Sequence, residues 1–123
     1  MPPAPTRRRP WYVWLLSLLV ALVFLGAGIA KLTGGDEVAA AFQRFGLPPG
    51  LATFIGLSEI AGAVGLFLPR LAPAAASGLA IIMIGAVSSH LRVDPAGKAV
   101  PALIVLLLCL TLAWLRRGEI AGA

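Results

Sequence analysis

The chain has 123 residues, of which 59% are hydrophobic and 12% charged, and its formal net charge is +5. A soluble domain carries about twice that charged fraction. The basic residues lie singly or beside apolar runs, which is typical of membrane flanks rather than of a nucleic-acid-binding face. The composition therefore excludes an ordinary soluble domain and a nucleic-acid partner. Cys109 is the only cysteine, so an internal disulfide and a CxxC redox pair are also excluded.

The N-terminal residues 1–10 place three prolines ahead of an arginine cluster at positions 7–9. Such a segment cannot form a core, and we predict a disordered basic arm. Residues 11–31 follow as an apolar segment long enough for a spanning helix. A signal peptide is the alternative, since small residues at Gly28 and Ala30 resemble a cleavage site. The apolar run exceeds the roughly 7–15 residues of a signal peptide, so we predict an uncleaved anchor.

The first loop predicts a short helix. Glycines at positions 34–35 interrupt the first span, and Asp36 is placed to cap a helix over residues 37–45. The apolar residues of this stretch recur at helical spacing, opposite the charged ones: Val38, Ala41, Phe42 and Phe45. That pattern indicates a helix on the membrane surface. We expect Phe42 and Phe45 to cover the mouth of the bundle.

The second apolar segment, residues 51–68, carries Glu59 near its middle. A carboxylate at that depth costs roughly 2.5–3.5 kcal/mol on insertion scales, so it normally faces protein or water rather than lipid. Glycines allow neighbouring helices to approach closely. We therefore expect packing contacts at the glycines near this acid and at the end of the first span: Gly28, Gly56, Gly62 and Gly65.

Two further apolar segments cover residues 73–91 and 99–115, and residues 118–123 form a short tail. The sequence thus predicts an all-α integral membrane protein, a four-transmembrane-helix bundle with a short interfacial helix in the first loop. With four spans both termini lie on one side, which then holds six basic residues against four on the other. This bias favours a multi-pass protein of the cell membrane with both termini in the cytoplasm.

Three ionisable residues touch the apolar segments: Lys31, Glu59 and His90. Lys31 and His90 end spans that run in the same direction, so they emerge at one mouth, and Glu59 lies about 12 Å below it. We predict a binding or proton-handling site at these residues. The structural alternatives are that Lys31 extends to the interface, that His90 is an interface residue, and that Glu59 is a paired charge. One histidine and one glutamate are too few ligands for a metal ion.

Several short motifs, in this order and spacing, resemble the DoxX-like family of small four-helix membrane proteins. They are Gly28-x-x-Lys31-Leu32, Phe42-x-x-Phe45-Gly46-Leu47-Pro48, Glu59-x-x-Gly62-x-x-Gly65-Leu66 and a third span ending in His90-Leu91. The resemblance covers nearly the whole chain after residue 10. It implies a membrane-embedded bundle, and some relatives are linked to quinone-dependent sulfur oxidation or to oxidative-stress complexes.

Three functions are compatible with these residues. The first is an accessory or quinone-interacting subunit of a membrane redox complex, without catalytic activity of its own. It would have no intrinsic cofactor, and its partners would be the bilayer, a quinone and a redox subunit. The second is a small transporter or proton-coupled permeation module, which would have to form a homo-oligomer because four spans are few. The third is a scaffold or assembly factor in which Glu59 and Lys31 only fix the helix register.

Overall fold

The structure is a computed structural model that describes residues 9–119. Most of the predicted basic arm and residues 120–123 of the tail lie outside this range. Within it the chain is entirely helical, as the sequence predicts, and contains five α-helices and no strand. The helices are α1 (Trp11–Thr33), α2 (Gly35–Arg44), α3 (Pro49–Gly65), α4 (Ala72–Val93) and α5 (Val100–Leu115). Short 3₁₀ turns at Ala96–Ala99 and Arg117–Glu119 flank α5.

Three of the helical segments are long and apolar enough to cross a membrane. They are Trp11–Thr33, Ala72–Val93 and Ala96–Leu115, with 23, 22 and 20 residues respectively. The helix that carries Glu59 is shorter than the predicted span over residues 51–68, because α3 has 17 residues and ends at Gly65. Beyond it the chain continues as turns, in which the amide of Leu68 donates to the carbonyl of Gly65. Pro69 disfavours a longer helix because it restricts the preceding residue to extended conformations.

The helices pack in two pairs, α1 with α3 and α4 with α5, and the pairs meet where α3 contacts α4 and α1 contacts α5. The buried face of α1 repeats at helical spacing: Val13, Ser17, Val20, Ala21, Phe24 and Gly28. It joins Leu66, Leu79, Cys109 and Leu112 in one core. Large apolar side chains such as Leu22, Ile81 and Leu107 point outward and are more than half exposed. An apolar surface of this kind suits contact with lipid.

The glycines noted in the sequence lie where helices approach each other closely. A β-carbon on Gly28 would lie 2.7 Å from the carbonyl oxygen of Gly56. One on Gly62 would lie 2.6 Å from the side chain of Leu79, and one on Gly65 would lie 2.9 Å from the β-carbon of Ala75. Such distances are too short for a real side chain, so these glycines allow α3 to pack against α1 and α4.

The first-loop helix α2 begins two residues earlier than predicted, at Gly35, and ends at Arg44. It packs against α3 and, less extensively, against α1. Phe42 is buried, at 8% exposure, whereas Glu37 and Gln43 face outward. The helix is therefore amphipathic and applies its apolar side to the outer part of the α1–α3 pair.

Candidate functional site

The central polar feature of the bundle is an ion pair between α1 and α3. The ammonium Nζ of Lys31 lies 2.7 Å from the carboxylate Oε1 of Glu59. The Glu59 side chain is completely buried, whereas that of Lys31 is 25% exposed. The pair therefore has one partner in the protein interior and one that remains accessible from outside.

The crossing of the two helices sets the geometry of this pair. Gly28 and Gly56 form the close contact, and Lys31 and Glu59 each lie three residues further along their own helix. A β-carbon on Gly56 would lie 3.1 Å from the β-carbon of Lys31, and one on Gly28 would lie 3.4 Å from that of Glu59. Because α1 and α3 run in opposite directions, Lys31 starts at the level of Gly56 and extends one helical turn inward to reach Glu59. It does not extend outward to the interface.

The ion pair leaves hydrogen-bonding capacity unused. Within residues 9–119 neither oxygen of the buried Glu59 carboxylate accepts a hydrogen bond of regular geometry. An ammonium group has three N–H donors, and only one can point at Oε1. The pair therefore presents a donor on Lys31 and an acceptor on Glu59, in surroundings where an unsatisfied polar atom is costly.

His90 lies in a different cluster, at the C-terminal ends of α2 and α4. Its Nδ1 lies 2.7 Å from Oδ2 of Asp94, and Arg44 donates to Oδ1 of the same carboxylate. The ring of Phe45 packs edge-on against the His90 ring, at 5.2 Å between centroids. The hydrogen bond from His90 lowers the pKa of Asp94, and Arg44 adds to this effect, which exceeds the opposing effect of burial.

The structure thus brings together two of the three predicted site residues. In the described part of the chain no hydrogen bond or ion pair joins His90 to Lys31 or Glu59. Phe42 and Phe45 also separate, since Phe42 is buried under α2 and Phe45 packs on His90. The partner of His90 is Asp94, four residues further along the chain, where it caps the C-terminal end of α4.

A network around the buried Arg116, which we call the inner network, lies where α1 begins and α5 ends, and it was not predicted from the sequence. The Arg116 side chain is completely buried and donates to the Ser17 hydroxyl, at 3.1 Å, and to the Leu66 carbonyl. It also forms two hydrogen bonds, of 2.8 and 2.9 Å, to the Glu119 carboxylate. Arg9 binds the same carboxylate with two further bonds, of 2.9 and 2.8 Å. The spacing of Arg116 and Glu119, three residues apart, is the signal that could have revealed the pair.

Glu119 is ionised despite its partial burial. Burial raises the pKa of a carboxyl group, but the hydrogen bonds from Arg9 and Arg116 outweigh it and lower the pKa of Glu119 from 4.5 to about 2. The network joins the start of α1, the end of α3 and the end of α5. It therefore closes the end of the bundle at which α1 begins, whereas the Lys31–Glu59 pair lies near the other end.

Comparison with known proteins assigns the family. The model of the DoxX-like family matches residues 15–113 of the chain. The chain belongs to the DoxX-like family. The match includes the Lys31–Glu59 pair and the His90–Asp94 cluster, whereas Arg9, Arg116 and Glu119 lie outside it. A search of curated proteins and one of solved structures gave no match.

Other site types can be tested on this DoxX-like membrane protein. The part of the chain that the structure describes contains no group of three or more His, Cys, Asp or Glu side chains that could hold a metal ion. Cys109 is buried in the core with no second cysteine in the sequence. The Lys31–Glu59 pair joins α1 to α3 with its carboxylate buried and its ammonium group partly exposed.

Proposed function

We propose that this DoxX-like protein is a four-span membrane subunit that acts as an accessory, quinone-interacting component of a membrane redox complex. The observation that carries the proposal is the Lys31–Glu59 pair, in which a partly exposed ammonium group has N–H donors to spare and a buried carboxylate accepts no hydrogen bond of regular geometry. The redox centre itself is assigned to a partner subunit, and this chain contributes binding and orientation.

Four spans would place both ends of the chain on one side of the membrane, and a contact between Arg9 and Glu119 supports that part of the proposal. Arg9 precedes α1 and Glu119 follows α5, and the two side chains form a bidentate ion pair at 2.8 Å. The first and last helices therefore begin and end at the same level. An even number of crossings satisfies this, provided that α3 and the turns up to Leu68 cross together.

A quinone fits the chemistry of the pair. Quinone carbonyl oxygens accept hydrogen bonds, and the partly exposed Lys31 has N–H groups that Glu59 does not use. When a bound quinone is reduced, it takes up protons, and Glu59 is a carboxylate that can hold one close to the ligand. Burial of Glu59 keeps bulk water away from this position, which strengthens each polar contact there.

Two open apolar grooves lie beside α3, and neither is lined by Lys31 or Glu59. One groove of about 250 Å³ lies between α1 and α3 and is lined by residues such as Leu22, Ala63 and Phe67. The other, of about 490 Å³, lies between α3 and α4 and includes Ser58, Gly62 and Gly78. Both open at the surface of the helix that carries Glu59, so an isoprenoid tail could lie along that helix.

A structural function is the second candidate, favoured by the Gly28–Gly56 contact. The ion pair lies one turn from this contact, where it would fix the register of α1 against α3. Under this alternative the protein is a scaffold and binds no small ligand. The two candidates differ in whether Lys31 donates to a ligand.

Infrared spectroscopy of a bound quinone separates the candidates. The full chain is reconstituted in nanodiscs with a benzoquinone that carries a short isoprenoid tail, and the quinone carbonyl band is recorded. We expect the band to move to lower wavenumber in wild type, to revert in Lys31→Met, and to remain shifted in Lys98→Met, which removes an exposed lysine. Helical circular dichroism confirms that each variant is folded. An unshifted band in wild type would overturn the quinone proposal and leave the scaffold.

A further inference from the structure

A glycine with a left-handed backbone conformation stands at each end of α2. Gly35 has φ +52° and Gly46 has φ +77°, and within the described residues no other residue has positive φ. A β-carbon on either glycine would contact nothing within 4 Å. Other residues rarely adopt this conformation, so the two glycines allow the chain to turn sharply at either end of α2. At the second turn the amides of Gly46 and Leu47 donate to the carbonyls of Gln43 and Phe42, which caps the helix. The helix itself lies between the two turns.

The attachment of α2 to the rest of the bundle is of two kinds. Its apolar side packs against α3 and α1, with Phe42 buried. Its C-terminal end reaches the other helix pair through side chains, because Arg44 donates to Asp94, which follows α4, and the Phe45 ring packs on His90. Arg44 also lies over the Phe45 ring, at 5.0 Å from its centroid. These contacts form a bridge between α2 and α4 that we call the outer bridge: Arg44, Phe45, His90 and Asp94.

Asp94 is the centre of the outer bridge. Its two carboxylate oxygens receive different partners, His90 on Oδ2 and Arg44 on Oδ1, and its side chain is only 8% exposed. Arg44 is 52% exposed, so the ion pair is partly solvated and adds only modestly to stability. A contact of this strength holds a segment in place yet allows it to detach reversibly.

We propose that α2 is a detachable cap on the outer end of the bundle, fastened by the outer bridge and released when Asp94 loses its contacts. The chain turns into the cap at Gly35 and out of it at Gly46, and Phe42 is the side chain that release uncovers. This inference concerns motion of the loop helix and does not depend on a quinone or any other ligand. It assigns to His90 and Phe45 a role in fastening the cap.

Hydrogen–deuterium exchange of the full chain in nanodiscs tests the cap without a reporter group. In Asp94→Asn we expect the amides of α2 to exchange about tenfold faster than in wild type, while those of α1 and α5 keep their rates. Arg92→Gln is the matched control, since it removes an exposed charge two residues from Asp94. It should leave the exchange of α2 unchanged.

Removal of the other partner supplies the second arm of the test. Arg44→Met breaks the same ion pair from the α2 side and leaves the His90–Asp94 contact in place, so we expect α2 to exchange faster than in wild type but no faster than in Asp94→Asn. Unchanged α2 exchange in Asp94→Asn would overturn the proposal. Faster exchange in every helix would overturn it as well, because Asp94 would then stabilise the whole bundle rather than the cap.

Discussion

Gly28 of α1 and Gly56 of α3 face each other so closely that a β-carbon on Gly28 would lie 2.7 Å from the Gly56 carbonyl oxygen. This contact is where the two helices cross, and it determines how far Lys31 must extend to reach Glu59. Small residues at a membrane helix crossing thus position a polar pair that neither helix could hold alone.

Replacing Gly28 by alanine should destabilise the bundle. The new methyl group would lie 2.7 Å from both the Gly56 carbonyl oxygen and Cγ1 of Ile60. Because the backbone oxygen cannot rotate away, the helices must separate, at a cost of about 1–3 kcal/mol in the free energy of unfolding. Gly26→Ala on the same helix is the control, because a β-carbon there contacts nothing within 4 Å. Detergent-induced unfolding measures both variants. Equal stability of the two would show that the crossing tolerates a methyl group.

Loss of the Arg116 guanidinium should be more costly. In Arg116→Met the Leu66 carbonyl and Ser17 hydroxyl lose their donor, and only Arg9 remains for Glu119. We expect a loss of about 2–3 kcal/mol in the free energy of unfolding. The neighbouring Arg117→Met removes an exposed arginine and should change stability by less than about 0.5 kcal/mol. A small effect in Arg116→Met would mean that water replaces the guanidinium.

The inner network should also make stability depend on pH in the acid range. The folded-state pKa of Glu119, about 2, lies below its ordinary value of 4.5, so the unfolded chain binds the proton first as the pH falls. The contribution is complete above pH 4.5 and is lost as the pH falls towards 2, to a total of at most about 3 kcal/mol. Thermal unfolding of wild type should show this loss, and Glu119→Gln should lose less stability over the same range, keeping the part of the loss that comes from the lowered pKa of Asp94. Glu37→Gln, at an exposed site, should lose the same amount of stability as wild type when the pH falls.

Cysteine labelling tests the four-span topology. In a Cys109→Ala background, single cysteines replace Ala4, Gly97 or Gly122, and intact cells are treated with a membrane-impermeant maleimide. We expect the cysteine at position 97, in the turn before α5, to react, and those at positions 4 and 122 to react only after permeabilisation. Reaction of either terminal position in intact cells would contradict a topology with both ends in the cytoplasm.

The sequence was most informative where apolar length, glycine and proline decide the structure. The uncharged stretch after residue 10 and the prolines in the first turns of α3, α4 and α5 are local signals, and the helices lie close to the predicted ranges. The depth of each residue along its helix allowed either a direct or a water-bridged link between Lys31 and Glu59, and the structure has a direct one of 2.7 Å. The early end of α3 did not follow, because apolar composition alone does not locate the turn before Pro69.

One acceptor in the inner network is a backbone carbonyl, that of Leu66, which no pattern of side chains in the sequence could reveal. Leu66 lies at the C-terminal end of α3, where the last backbone carbonyls receive no hydrogen bond from amides of the helix. Arg116, at the end of α5, supplies the missing donor. A guanidinium that ends an apolar segment resembles an interface anchor in the sequence. Only the packing of three helix ends shows that it points inward.

The central claim is that Lys31 and Glu59 bind a ligand rather than merely join two helices, and the double variant Lys31→Met/Glu59→Leu tests it most directly. Replacing both members of a buried ion pair by apolar residues of similar size usually preserves or increases stability. The variant should therefore fold. The measurement is the amount of quinone that organic solvent extracts from the protein after its purification from native membranes. We predict quinone bound to wild type and to Lys98→Met, and less than about a tenth of that amount in the folded double variant. Equal quinone in the double variant and wild type, or none in wild type, would contradict the account.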